Sequence, residues 1–190
     1  MGDFIRGVNI SQLPESIARG VQNHQAVDRF TDSHAGVKRL KASFSDQRRR
    51  YAGIILDVVF DHFLIKHWRM YSKEDLGAFT DYCYESLLSF QHMMPERMSH
   101  RVEWMVRFDL LNSYAELKGI ANALNGISGR IRFENRLAGA IEEVADHYEI
   151  LQQGFMEFFA ELRTHVRDLK IEEPDSADNS VLYSHRCRRH

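Results

Sequence analysis

The sequence predicts an all-α protein, a compact multi-helix domain, and three observations carry that prediction. Apolar residues recur at helical spacing along most of the 190 residues. No stretch alternates apolar and polar residues as a half-buried strand would. Prolines number only 3, and Pro14 and Pro95 stand near predicted helix ends while Pro174 falls in a polar terminal stretch.

The elements follow in order. Pro14 fits the first turn of a helix running to about Thr31, because proline there sacrifices no internal hydrogen bond. A shorter helix is expected from His34 to Phe44. Ser45 or Asp46 can cap a long apolar helix that reaches Trp68. The next helix covers Lys73 to His92, with Leu76, Phe79, Tyr82, Cys83, Leu87 and Leu88 at mainly helical spacing. Pro95 interrupts, and Val102, Trp104, Met105, Phe108 and Leu111 continue toward Tyr114. The run from Leu124 to Arg130 (LNGISGR) contains two glycines and an Asn-Gly step, so it reads as a turn. From Ile131 the helical pattern resumes through Phe133, Leu137, Ile141 and Val144, then Leu151, Phe155, Phe158, Leu162 and Val166. The sum is roughly seven helices. Residues 1–170 read as one helical domain, and residues 171–190 as a polar, flexible C-terminal tail.

Bulk properties narrow the function classes. Lys plus Arg is 25 and Asp plus Glu is 27, a formal charge of -2 that demands neither nucleic acid nor membrane as a partner. No apolar stretch has the length of a membrane span and no secretory signal opens the chain, so the expected residence is cytoplasmic. Two cysteines, Cys83 and Cys187, do not make a disulfide framework. Lys38, Arg39, Lys41 and the run Arg48, Arg49, Arg50 concentrate positive charge. That run reads either as a solvated helix start or as a docking patch for an acidic partner beside the active site.

Two polar ladders carry the chemistry. Asp57 and Asp61 lie one helical turn apart inside AGIILDVVFDHFLI, so both carboxylates leave the same face of what reads as a buried helix. Two acids buried together repel and raise one another's pKa unless a cation intervenes. The plainer reading is an internal salt bridge to an arginine such as Arg29, Arg107 or Arg132. His62 points about 100° away from Asp61 and suits a supporting role or a substrate contact. Upstream, His24, Asp28 and Asp32 form a second ladder whose imidazole and carboxylates suit a hard or borderline divalent ion. Such an ion, with Asp28 or Asp61 orienting a water and a neighbouring His or Arg neutralising charge, supports metal-assisted phosphoester hydrolysis.

At these residues the chain resembles the acyl carrier protein phosphodiesterase family. The similar segments are GDFIRG at Gly2–Gly7, HQAVDRFTD at His24–Asp32 and LDVVFDHFLIKHW at Leu56–Trp68, with LNGISGRIRFENRL at Leu124–Leu137 less distinctive. The resemblance implies a helical fold related to HD-type metal-dependent phosphohydrolases. It also implies removal of 4'-phosphopantetheine from the serine of holo-acyl carrier protein, with Mn2+ or Mg2+ as cofactor. Mapped here, it nominates Asp3, His24, Asp28, Asp57 and Asp61 for the site, with Asp32 and His62 next. Arg48–Arg50 would then face the acidic carrier protein, which is the expected partner. Two departures stand out. Family members usually carry a histidine in a short segment before the Gly-Asp-Phe motif, and the Asp61-His62 order reverses the doublet of HD proteins. The alternatives are a phosphohydrolase of nucleotides or other phosphoesters, and a catalytically impaired module that binds carrier protein.

Overall fold

The computed structural model describes residues 13–172. Among them the chain forms eleven α-helices, one short 3-10 turn and no strand. In order these are α1 (Glu15–Ser33), α2 (Ala35–Ser43), α3 (Asp46–Arg49), α4 (Ala52–Lys66), α5 (Trp68–Tyr71) and α6 (Leu76–Ser89). The 3-10 turn (Gln91–Met93) leads to α7 (Glu96–Arg107), α8 (Leu110–Ser113), α9 (Leu117–Arg130), α10 (Ile141–Asp146) and α11 (Tyr148–Leu169). The all-α expectation holds. The helices are more numerous than expected because residues with ψ near zero split the long runs, Phe108 between α7 and α8 among them, and because α9 replaces an expected turn. Tyr51 separates α3 from α4, His67 separates α4 from α5, and His147 separates α10 from α11.

One segment reverses the sequence reading. The run Leu124–Arg130, expected as a turn, is the second half of α9, and the expected helix from Ile131 begins only at Ile141. The buried face formed by Gly119, Ile120 and Leu124 holds α9 helical through its glycines. Beyond it, Asn135 supplies the stop. Its side-chain oxygen accepts from the Ser128 hydroxyl at 2.7 Å and the Leu137 N–H at 3.2 Å. Its amide donates to the Ser128 and Phe133 carbonyls at 3.1 and 3.2 Å. One asparagine thus takes over polar groups that would otherwise propagate a helix.

The chain divides into two compact units. Of the described residues, one unit contains 13–31 and 161–172, and the other contains 32–160. In the smaller unit the Pro14 carbonyl accepts from Ile17 and Ala18, both at 2.9 Å, starting α1 as the proline position predicts. Phe30 and His165 stack at 4.5 Å, and the Asn23 amide donates to Glu172 at 3.1 Å. Of the expected tail, only residues 171 and 172 are described.

The larger unit is organised around α4. Ile55, Leu56, Val59 and Phe63 are all but inaccessible, and α4 packs against α9 and α2. Phe60 and Phe63 lie 5.4 and 5.7 Å from Phe155 of α11, ring centroid to ring centroid. Each such ring contributes about 2–3 kcal/mol by leaving water, so this cluster fixes the orientation of α4 and hence of its polar side chains.

The basic run is only partly a surface feature. Arg48 donates to Glu143 at 2.8 Å and to the Arg136 carbonyl at 3.0 Å, and both partners of that ion pair are 18% exposed. Ser45, expected as a helix cap, instead gives Glu143 its N–H at 3.0 Å and its hydroxyl at 2.6 Å. Burial alone would raise the Glu143 pKa, but these Ser45 and Arg48 donors outweigh it and hold the carboxyl below its usual range. Arg49, by contrast, pairs with Asp46 in full view of solvent, and Arg50 lies over the Tyr51 and Phe133 rings. Replacing Arg48 by Ala should therefore cost about 2 kcal/mol of unfolding free energy, whereas Arg49→Ala should stay within about 0.5. Urea melts of the two variants check this ordering.

Candidate active site

Helix α4 forms because Ile, Val, Leu and Phe on three sides of it find partners, leaving one accessible strip. Asp57 and Asp61 occupy that strip. The expectation of two carboxylates buried with their helix is thus corrected: both keep solvent access, since the burial of α4 falls on its other faces. Asp61 is accessible yet has protein packed close around it. Desolvation there, with the Asp57 charge adding to it, raises its pKa from the usual 3.8 to about 7. Near neutral pH this group exists in both charge states, the condition that suits proton transfer.

His62, next in sequence, turns into the core and is 3% exposed. Its Nδ1 lies 2.7 Å from the Tyr114 carbonyl and its Nε2 lies 2.8 Å from the Tyr148 hydroxyl. A carbonyl only accepts, so Nδ1 carries the proton and Nε2 takes the hydroxyl hydrogen of Tyr148. Lys66 then donates to the Tyr148 oxygen at 2.6 Å, with its ammonium 4.6 Å from the ring centre. Every polar group of this relay is used by a neutral imidazole. Burial chiefly lowers the His62 pKa accordingly, although the Tyr114 carbonyl opposes it.

That lowering has a sign in stability. An imidazole that resists protonation when folded stabilises the fold above its unfolded pKa of about 6.5, and this contribution is lost as pH falls below that value. We expect His62→Gln, which stays polar without titrating, to flatten the loss of thermal stability between pH 6.5 and 5. Melting curves across that range measure it.

The upstream ladder is resolved into two pairs. On α1, His24 Nε2 lies 3.3 Å from an Asp28 carboxylate oxygen within the smaller unit. Asp32 falls in the larger unit and accepts from Lys41 at 3.0 Å. Asp3 and the Gly2–Gly7 segment lie outside the described residues. Among the described residues, no group of three or more His, Cys, Asp or Glu side chains is assembled to hold a metal ion.

Sequence reading passed over Tyr114 and Tyr148 as participants. Lys66 stands one turn beyond His62 on α4, but the tyrosines lie 52 and 86 residues away in sequence from His62. Tyr114 also feels the site. Burial pushes its phenol up to about 12, with the Asp61 charge adding and Arg130 opposing.

The sequence that builds this arrangement has counterparts among known proteins. The family model for acyl carrier protein phosphodiesterase matches residues 1–162. The chain belongs to the acyl carrier protein phosphodiesterase family. A protein of that name from Serratia proteamaculans is 31% identical over 172 residues, 90% of this chain and 89% of the relative. Its counterpart in Yersinia enterocolitica has the same identity and coverage, and one from an Enterobacter strain is 28% identical over the same length. No solved structure matches the chain at a significant level. Acyl carrier protein phosphodiesterases are hydrolases, and the family reaction is cleavage of the phosphopantetheine–serine linkage of holo-acyl carrier protein. Among the described residues of this family member, no helix is long and apolar enough to cross a membrane.

Proposed function

We propose that this chain hydrolyses the phosphodiester joining 4'-phosphopantetheine to the serine of holo-acyl carrier protein, with Asp61 beside the reacting bond. The observation that carries the reading is an accessible Asp61 with a pKa of about 7, one turn from Asp57 in a family of phosphodiesterases. In its ionised form Asp61 accepts a proton from the attacking water. The water oxygen bonds to phosphorus, the bond from phosphorus to the serine oxygen breaks, and the serine oxygen leaves with the proton that Asp61 took from the water.

A divalent cation suits the donors. Two carboxylates on one strip, one of them raised in pKa partly by the other's charge, are a pair that a cation relieves. Asp57 would hold it while Asp61, unliganded, takes the proton of the water, and oxygen donors of this kind favour Mg2+ or Mn2+ over softer ions. When bound, the ion supplies positive charge against the phosphate oxygens. His24, Asp28, Asp32 and Asp3 are the further candidates that the family resemblance nominates, with Asp28 a candidate for proton transfer too. His62, tied into its core relay, would act by holding α4 and Tyr114 in place. The scaffold would then be of the HD type, supported by that resemblance and by acids and imidazoles carried on helices.

For the acidic carrier protein, the exposed charges of Lys38, Arg39, Arg49 and Arg50 suit steering, while Arg48 serves the fold. The test is incubation of the purified chain with holo-acyl carrier protein and manganese, followed by intact mass of the carrier. Loss of the phosphopantetheine mass, abolished by chelator, is the expected result. Cleavage of free nucleotides with no change in the carrier would overturn it, and so would tight carrier binding without cleavage.

A further inference from the structure

A cleft of about 600 Å³ opens between α7, α8 and α9, within the size range of small-molecule sites. Its residues combine an apolar wall with positive charge. Trp104 and Phe108 are 46% and 54% exposed, with ring centroids 5.1 Å apart, a large aromatic surface left to water. Arg101 and Arg130 also line the cleft, and among the described residues no Asp or Glu does. His100 lies at the rim 3.8 and 3.6 Å from Glu96 and Glu103, so its charge is locally offset, and Arg130 is the cation of the cleft that suits an anion.

Tyr114 relates the cleft to the candidate active site: it lines the cleft, and its phenol feels the Asp61 charge. The Tyr114 carbonyl accepts the Nδ1 proton of His62, which ties the cleft wall to the buried side of α4. Helix α9, which forms the opposite wall with Ile127 and Arg130, packs directly on α4. The opposing influences of Asp61 and Arg130 on the Tyr114 phenol agree with a position between an acid and a cation.

We infer that this cleft holds the 4'-phosphopantetheine arm of the substrate, its organic chain against Trp104 and Phe108 and its phosphate toward Arg130. This rests on the proposed reaction for the identity of the ligand. The chemistry matches term by term: a flexible, mostly uncharged chain needs an apolar wall, and an anionic end needs a guanidinium. The arm would be gripped by its length, so discrimination between the arm-bearing carrier and its bare form would arise here rather than at the basic surface.

The experiment uses binding as well as turnover. In a Trp68→Phe background Trp104 is the sole tryptophan, and its emission is followed as free 4'-phosphopantetheine is added to the full chain in chelator. A saturable change is expected, about tenfold weaker for pantetheine without its phosphate and for Arg130→Gln. In turnover, Trp104→Ala and Phe108→Ala, both exposed positions, should raise KM for holo-carrier protein about tenfold with kcat little altered. Wild-type cleavage of the carrier with no emission change, or with unchanged KM in variants that melt as wild type does, overturns the cleft assignment alone. A phosphate-dependent emission change in a chain that never cleaves the carrier upholds the cleft and overturns the proposed reaction.

Discussion

Asp61→Asn should abolish turnover and, in metal-free protein at pH 8, raise the melting temperature. The two effects have one cause. The folded pKa of about 7 lies far above the usual 3.8, so the fold favours protonated Asp61. The stabilisation from that proton is fully present below about pH 4 and is lost as pH rises through about 7. At pH 8 the wild-type chain therefore carries an ionised carboxylate beside Asp57 in a partly desolvated place, and asparagine removes that burden. At pH 5 folded wild-type Asp61 is mostly protonated, and the difference between the two proteins should be less than half of that at pH 8. Activity moves the other way, by about 100-fold or more, because asparagine cannot take a proton. Thermal melts in chelator at pH 5 and pH 8, beside the carrier mass assay, measure both. A melting difference independent of pH would contradict the assigned environment, and retained turnover would contradict the assigned role.

Gly119→Ala should destabilise the protein by about 2 kcal/mol or more, against the usual trend for a helical glycine. Alanine in a helix interior ordinarily gains about 1 kcal/mol over glycine. At Gly119, however, a Cβ would fall on the Ser113 carbonyl oxygen, with the Ser113 carbonyl carbon and the Tyr114 nitrogen close behind. These are backbone atoms, and the next carbonyl along holds His62, so the neighbour cannot simply rotate away. Forced overpacking of this kind costs about 1–3 kcal/mol and sometimes more. Gly129 is the internal control: it lies on the same helix, and a Cβ there meets nothing within 4 Å. Gly129→Ala should gain about 0.5–1 kcal/mol. Denaturant melts giving the same sign at both positions would refute the close approach of α9 to the α8 turn.

The helical class was legible in the sequence because apolar spacing reports the faces that α4, α6 and α11 bury. The breaks were less so. His67 and His147 end helices through backbone angles that no residue type enforces, and Asn135 stops one through side-chain bonds to Ser128, seven residues away. The glycines near Leu124 misled in the opposite direction, since tertiary burial outweighed their weak helix propensity. In the site, the Asp57–Asp61 pair was legible from its apolar surroundings, although the same surroundings suggested burial that the structure assigns to the other faces of α4. Tyr114 and the cleft beyond it could not be read, because nothing local in the sequence reports which distant tyrosine meets a helix. The triple arginine looked uniform as text, yet Glu143 singles out Arg48 from positions 95 residues apart.

The strip of acids on α4 has a consequence for the nascent chain. Without Asp57 and Asp61 the segment from Ile54 to Ile65 would be an almost unbroken run of β-branched, aliphatic and aromatic residues. Before its partners from α9 and α11 are synthesised, such a run is prone to stack on copies of itself or to lodge in a lipid bilayer. A charge at each turn works against both outcomes, which gives the two carboxylates a use before the protein has folded.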